Sequence, residues 1–359
     1  MKRRSGFLLL MMIMMVGCSA NSQPQSKNQA QENDTAIQTL NNVEIEVIAD
    51  NLDIPWAIEK LENMFYITER TGHIVKIQEG TMDRQQVRLK KELATAAEAG
   101  LLGFVLAPDF RQSKLAYAYY TYVHGDKQFN RIVTLRQEGD VWHEEQLLLD
   151  HIVSGTFHHG GRLKLGPDGK LYATVGDAVQ ASVAQDPSSL EGKILRLNLD
   201  GSVPQDNPFP NSVVYSYGHR NPQGLAWSSD GVLYASEHGN SANDEINNIE
   251  AGQNYGWPII EGTETHQGMI APLFTSGSHT TWAPSGMAYF DNKLYVAALR
   301  GTAILEFNLA TNTQRELITG LGRIRDILID EEYLYFVSNN TDGRGNPQNN
   351  DDKLYRIPL

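Results

Sequence analysis

From about residue 43 onward one short phrase returns six times: an apolar strand, a turn, a second strand usually carrying Leu-Tyr or Phe-Tyr, and often a third strand. It runs from Pro55-Trp56-Ala57 through FYITERTGHIVKI, from GLLGFVLAPDF through YAYYTYV, and from GGRLKLGPDGKLYATVGD through KILRLNLDG. It returns at NPQGLAWSSDGVLYASEHG, at PSGMAYFDNKLYVAALRGTAILEFNL, and at IRDILIDEEYLYFVSNN through DKLYRIPL. Within a phrase the apolar residues alternate, as in Leu163, Leu165 and then Leu171, Ala173, Val175, while Pro167-Asp168-Gly169 supplies the turn. Starts at Pro55, Leu101, Gly161, Gln223, Ser285 and Ile324 are spaced by 46, 60, 62, 62 and 39 residues. A fixed strand phrase with connections of unequal length is the mark of radial repetition, so the chain is expected to be all-β, a six-bladed β-propeller of four-stranded antiparallel blades. The competing architecture is a β-sandwich. No stretch after residue 43 keeps an i, i+3, i+4, i+7 pattern for more than about two turns, which excludes long helices.

The beginning of the chain has a different character. Lys2, Arg3 and Arg4 precede the apolar run from Phe7 to Val16, which ends at Gly17-Cys18. This is a secretory signal whose apolar part is too short to span a bilayer. Met15-Val16-Gly17-Cys18 resembles the bacterial lipobox, in which the cysteine is lipidated, and Cys18 is the one cysteine of the chain, so no internal disulfide competes for it. The expected order is a lipoprotein signal over 1–18, a disordered tether over 19–42, and the folded domain over 43–359, held outside the cytoplasm by its lipid. The tether is expected because Ile37 and Leu40 are its only large apolar residues. Loss of the signal's basic residues takes the formal charge from −13 to −16, which argues against nucleic acid and against adhesion to anionic lipid.

In a propeller the equivalent connections of successive blades gather around a central channel, so residues at matching places in different phrases converge. His158 and Asp177 flank the third phrase, His219-Arg220-Asn221 and His238-Gly239-Asn240 the fourth, Arg300 the fifth, and Arg323 with Arg325 the sixth. Four arginines facing one channel repel one another unless they meet an anion, and their planar forks suit carboxylates or phosphates. A small polyanionic ligand is implied. His158 is suited to a general base and Asp177 to orienting it through the other ring nitrogen. By strand alternation only one of His158 and His159 should face the channel. Asp177, Asp186, Asp244, Glu245, Asp342, Asp351 and Asp352 offer oxygens of the kind calcium takes, but in no EF-hand spacing. No HExxH, cysteine cluster, nicotinamide fingerprint or GxSxG elbow is present.

The motifs HHGGRLKLGPDGKLYATVGD, GKILRLNLDGSVPQDNPF, YGHRNPQGLAW, SEHGNSANDEIN, NYGWP and GRIRD, in that order, resemble the quinoprotein glucose/sorbosone dehydrogenases. The resemblance runs from about Leu52 to the C-terminus, and the lack of a long insertion after NYGWP makes the chain similar to the shorter aldose sugar dehydrogenases. It implies a six-bladed propeller that oxidises an aldose at C1 to a lactone with pyrroloquinoline quinone (PQQ) and Ca2+. His158 would remove the C1 hydroxyl proton while hydride passes to the quinone, with Asp177 orienting it. Arg220 would lie by the reactive quinone carbonyl beside Asn221, Arg300, Arg323 and Arg325 would hold the cofactor's carboxylates, and the carbonyls of Gly239 and Asn240 would bind calcium. The sequence departs from the glucose-type pattern at Glu98 and His238, where that pattern has glutamine, at Asn240 for proline, at Arg300 for lysine, and at Phe157 for an aspartate.

Two other readings follow from the same residues. One is a propeller lipoprotein that binds sugar or a wall component without catalysis. The other is a calcium-dependent lactone hydrolase, which would want several carboxylates around the ion where this chain supplies arginines. Neither the sugar nor the electron acceptor is written in the motifs. Specificity is expected in the loops at 125–130 and 262–280.

Overall fold

The computed structural model describes residues 37–40, 43–95, 97–330 and 332–359; Cys18, its signal segment and most of the expected tether lie outside them. The repeated phrase folds as antiparallel meanders. Residues 163–217, 222–275 and 284–319 each make a separate four-stranded sheet in chain order. Residues 55–88 and 101–154 make two further four-stranded meanders, which merge into one eight-stranded sheet where strand Thr81–Arg88 runs parallel to the start of Val141–Ser154. The last sheet takes Ile324–Ile329, Tyr333–Ser338 and Leu354–Pro358 from the end of the chain and Val43–Ala49 from its beginning.

A first strand such as Leu101–Leu106 is buried on both faces, whereas a last strand such as Thr313–Thr319 is mostly exposed. The reason is packing between sheets: Pro55–Leu61 lies against Leu101–Leu106, which lies against Leu163–Leu165. Leu171–Val175 meets Pro222–Trp227, which meets Pro284–Phe290, then Ile324–Ile329, and Ile324–Ile329 returns to Pro55–Leu61. The order of contacts is closed. Such close approach needs missing side chains: a Cβ on Gly103 would stand 2.2 Å from the carbonyl oxygen of Gly161.

Arg162, just before the strand Leu163–Leu165, belongs to this inner packing. Its Nη1 donates to Asp326 Oδ2 at 2.9 Å, the same oxygen that accepts the Ile58 N–H, and its guanidinium lies 4.2 Å from the Trp56 ring centroid. Three meanders are thereby tied by one buried ion pair.

Two expectations need correction. Ile37–Leu40, assigned to the tether, is a strand antiparallel to Val43–Ala49, because that strand otherwise presents an open edge of backbone donors and acceptors. His158 and His159 do not obey strand alternation, because the strand begins only at Leu163. Helix among the described residues is limited to the single turns Phe110–Ser113 and Ala181–Gln185, and no helix there is long and apolar enough to cross a membrane.

Candidate active site

The connections at one end of the inner strands enclose a cavity of about 300 Å³. Of the residues expected to act as base, to hold the cofactor or to bind calcium, His158, Arg220, Asn221, Gly239, Asn240, Arg300, Arg323 and Arg325 line it, whereas Asp177 does not; nor do His219 or, Asp244 apart, the other acidic candidates. Asp177 stands directly behind His158. Trp56, Arg70, Glu98, Gln223, His238 and Arg344 complete much of the wall.

His158 is held from three sides. Its Nδ1 is 2.7 Å from Asp177 Oδ1, its main-chain N–H donates to Glu98 Oε2 at 3.1 Å, and its carbonyl packs so tightly on Gly176 that a Cβ there would lie 2.0 Å away. The Asp177 contact leaves Nε2 for the cavity. Asp177 also accepts the Val179 N–H and the Trp257 indole N–H, each at 2.8 Å. Burial pushes its pKa up, but the hydrogen bonds from His158, Val179 and Trp257 outweigh this and hold the carboxyl below its ordinary value. It therefore stays an anion that favours a proton on the facing nitrogen.

His159 also reaches the cavity wall, but its Nδ1 bonds Ser154 Oγ at 2.7 Å and burial drives its pKa down to about 4. It is a neutral structural imidazole. Asn221 is buried in the wall, its Oδ1 accepting the Gly160 N–H at 3.0 Å. Arg220 lies 5.3 Å from the Trp257 ring centroid, and its own N–H donates to Glu237, whose second oxygen meets His219 Nδ1 at 2.8 Å. Glu237, hidden in the SEHGN motif, is thus the residue that fixes Arg220 and His219 together.

At the other end the donors outnumber the acceptors. Arg325 reaches Gln223 Oε1 at 2.9 Å, yet its Nε is buried without a partner, and burial lowers its pKa to about 9. Arg323 pairs with Asp342 at 2.8 Å, and Arg300 is exposed at the rim. The Nε of Arg220 and the Nε2 of His238 are also buried without partners. Groups like these cost free energy unless something fills the cavity and accepts from them.

The acidic candidates distribute differently. Asp244 has no oxygen to spare: it accepts from Gly239 N, Thr281 Oγ1, Trp282 N and Ala283 N. Asp342 is taken by Arg323, Asp352 by Asn340 and Thr341, Glu245 by Gly262 and Asn247, and Asp186 caps its own turn. Among the described residues no group of three or more His, Cys, Asp or Glu side chains is arranged to hold a metal. The Asn240 carbonyl lies 3.5 Å from Arg220 Nη2. Of the loops expected to set specificity, Asp126–Phe129 line a second cavity of about 440 Å³ with Gln180.

Sequence reading missed Trp257 and Arg344. The first lay inside NYGWP, where its indole could have been suspected; the second, in GRGNPQNN, carries no local signal.

The chain is similar to known proteins in both sequence and structure. The sequence profile of the Glucose / Sorbosone dehydrogenase family matches residues 52–355. Aldose sugar dehydrogenase YliI of Escherichia coli is 31% identical over 84% of this chain and 91% of its own length. Quinoprotein glucose dehydrogenase B of Acinetobacter calcoaceticus is 36% identical over 66% of this chain, a match that spans 57% of that protein. The PQQ-bound aldose sugar dehydrogenase of Streptomyces coelicolor superimposes with a TM-score of 0.82 at 33% identity, covering 92% of this chain and 99% of that one. With a family profile spanning nearly the whole folded chain, and relatives and structures agreeing with it, the protein belongs to the glucose/sorbosone dehydrogenase family of enzymes.

Proposed function

We propose that the chain oxidises aldose sugars at C1 to lactones, with PQQ as the bound oxidant, on a six-bladed propeller whose blades are the six meanders. The observation that carries this reading is the pairing, in one cavity, of a histidine backed by an ionised aspartate with Arg220, Arg300, Arg323 and Arg325, two of which, Arg220 and Arg325, have a buried Nε without an acceptor.

The cavity residues fit PQQ. A planar tricarboxylate would supply the acceptors missing at Arg325 and Arg220, with Arg300 exposed at the rim and Arg323, already paired with Asp342, adding positive charge beside them. When bound, the quinone supplies the two-electron acceptor that no side chain provides. Calcium fits less completely. Gly239 and Asn240 offer main-chain carbonyls but no unengaged carboxylate stands near them, so cofactor oxygens would have to furnish much of its shell.

His158 takes the proton of the C1 hydroxyl on Nε2, and Asp177 stabilises the imidazolium so formed. Trp257 and the Val179 N–H keep Asp177 from turning away. Arg220, fixed by Glu237 and Trp257, would supply positive charge to stabilise a bound oxidant as it is reduced. Outside the domain, Cys18 would carry the lipid that keeps the enzyme on the membrane, extracytoplasmic, where sugar and an electron acceptor of unknown kind would reach it.

The test is a titration of PQQ into the purified mature chain with calcium, followed by absorbance, then addition of an aldose panel. Saturable binding and bleaching by a sugar, with His158→Ala binding PQQ but not bleaching, supports the proposal. Binding of sugar without cofactor, unchanged by His158→Ala, would replace it with a non-catalytic sugar-binding role. Detergent partitioning of the expressed chain, compared with Cys18→Ser, tests the anchor.

A further inference from the structure

The carboxylate of Glu98 is engaged twice, and neither engagement is explained by cofactor binding. Its Oε2 accepts the N–H of His158 at 3.1 Å, and its Oε1 accepts Arg344 Nη1 at 2.6 Å. His158 has φ 64°, a left-handed conformation that a residue with a Cβ adopts only when its surroundings impose it. It precedes the strand beginning at Leu163, so no sheet ladder receives its N–H. Asp177 fixes the ring and Gly176 receives the carbonyl, but only Glu98 fixes the amide.

Glu98 lies 60 residues from His158, in the connection between the first two meanders, and Arg344 lies 246 residues from Glu98, in the last connection of the chain. Arg344 also covers the preceding residue, its guanidinium 5.4 Å from the Phe157 ring centroid. Burial would raise the Glu98 pKa, but Arg344 more than offsets it and holds the carboxyl at about 2, so the acceptor remains ionised. The pair is not core: the side chains are 46% and 21% exposed for Arg344 and Glu98, and pairs that open to solvent add little to folding stability.

We propose that Glu98 and Arg344 form a clamp that positions the base, holding the His158 backbone in its left-handed conformation so that Nε2 faces the reacting hydroxyl. The inference rests on the reading of His158 as that base. Neither residue touches the reacting atoms; both act through His158, which is why they are positioning residues. The clamp also accounts for an acid in a cavity built for anions, since Arg344 neutralises Glu98 before any carboxylated ligand arrives.

Three variants separate the parts. Glu98→Ala removes the acceptor and the pair, Arg344→Ala leaves the acceptor unanchored, and Glu98→Gln keeps an oxygen for the amide while losing the charge. Because misplacement of a base by about 1 Å can cost about a hundredfold, kcat should fall about 30-fold or more in Glu98→Ala, about five- to tenfold in Arg344→Ala, and about threefold in Glu98→Gln. The aldose KM, PQQ affinity and melting temperature should barely move.

A second readout needs no cofactor. In the 15N-labelled apo protein the His158 imidazole should show one defined tautomer with Nδ1–H toward Asp177, blurred in Glu98→Ala and restored in Glu98→Gln. A kcat for Glu98→Ala within about twofold of wild type, or a loss confined to PQQ affinity, overturns the clamp, given the base-placement argument above. If wild type binds PQQ yet oxidises no aldose, the functional reading fails instead. The imidazole signal then decides alone: perturbed by Glu98→Ala, the clamp stands; unchanged, it falls.

Discussion

The two ends of the cavity are built on opposite principles. The two carboxylates that hold His158 are shared within the protein: Asp177 is bound by His158, Val179 and Trp257, and Glu98 by His158 and Arg344. Around Arg325 the protein leaves donors unmatched and a guanidinium desolvated. In the proposed reaction His158, as base, must be in place before substrate arrives, which calls for internal support. A site for a polyanion can leave its electrostatics unbalanced, because the ligand completes it on binding. The same fold therefore stabilises one end in the free protein and the other only when loaded.

The largest expected effect breaks the comparison at the base. His158→Ala should lower aldose kcat/KM by about 10³-fold while PQQ binding is retained; loss of PQQ binding in this variant would mean the two ends are not separable. Next comes the arginine end. Arg325→Met should weaken PQQ binding by about 100-fold, the loss of a charge-assisted pair, yet leave the melting temperature of the cofactor-free protein equal or higher, because it removes a buried cation with an incomplete partner set. Calorimetry with and without PQQ checks both halves, and a lowered apo melting temperature would show that Arg325 is already balanced.

Gly176→Ala sharpens the base end by a purely steric route. With the His158 carbonyl 2.0 Å from the added Cβ, the fold should lose about 2 to 4 kcal/mol by denaturant titration. Trp257→Phe removes one of the three donors to Asp177 and should lower kcat about fivefold, the worth of a hydrogen bond to a charged group. The smallest effect is in pH. The Glu98 carboxyl titrates at about 2 in the folded protein against an ordinary 4.5, so its contribution is complete above 4.5 and is lost as pH falls toward 2. Because the pair with Arg344 is open to solvent, that contribution is small: the stability profiles of wild type and Glu98→Gln should lie close together and parallel above pH 4.5, and the small gap should close as pH falls toward 2.

Much of the site was legible because it is written in local phrases. His158, Asp177, Arg220 and Asn221 flank strands whose alternation and turns can be read directly, and ring-like repetition brings their ends together. Arg323 and Arg325, flanking the first residue of the strand Ile324–Ile329, were legible for the same reason. What was misread lay where local rules stop. The left-handed turn at His158 abolished the alternation expected of His158 and His159, and the carboxylates that look available in sequence were already engaged by nearby amides and arginines.

The sequence by itself determined the repeating meanders, the family and the residues that meet in the cavity, because strand periodicity and turn chemistry act over a few residues. Only the tertiary structure decided how those residues are held. The Trp257 bond to Asp177 spans 80 residues, the Arg325 bond to Gln223 spans 102, and the Arg344 bond to Glu98 spans 246. Such contacts exist only once the last inner strand has packed back onto the first, and no short-range pattern carries the information of which side chains that closure brings within hydrogen-bonding distance.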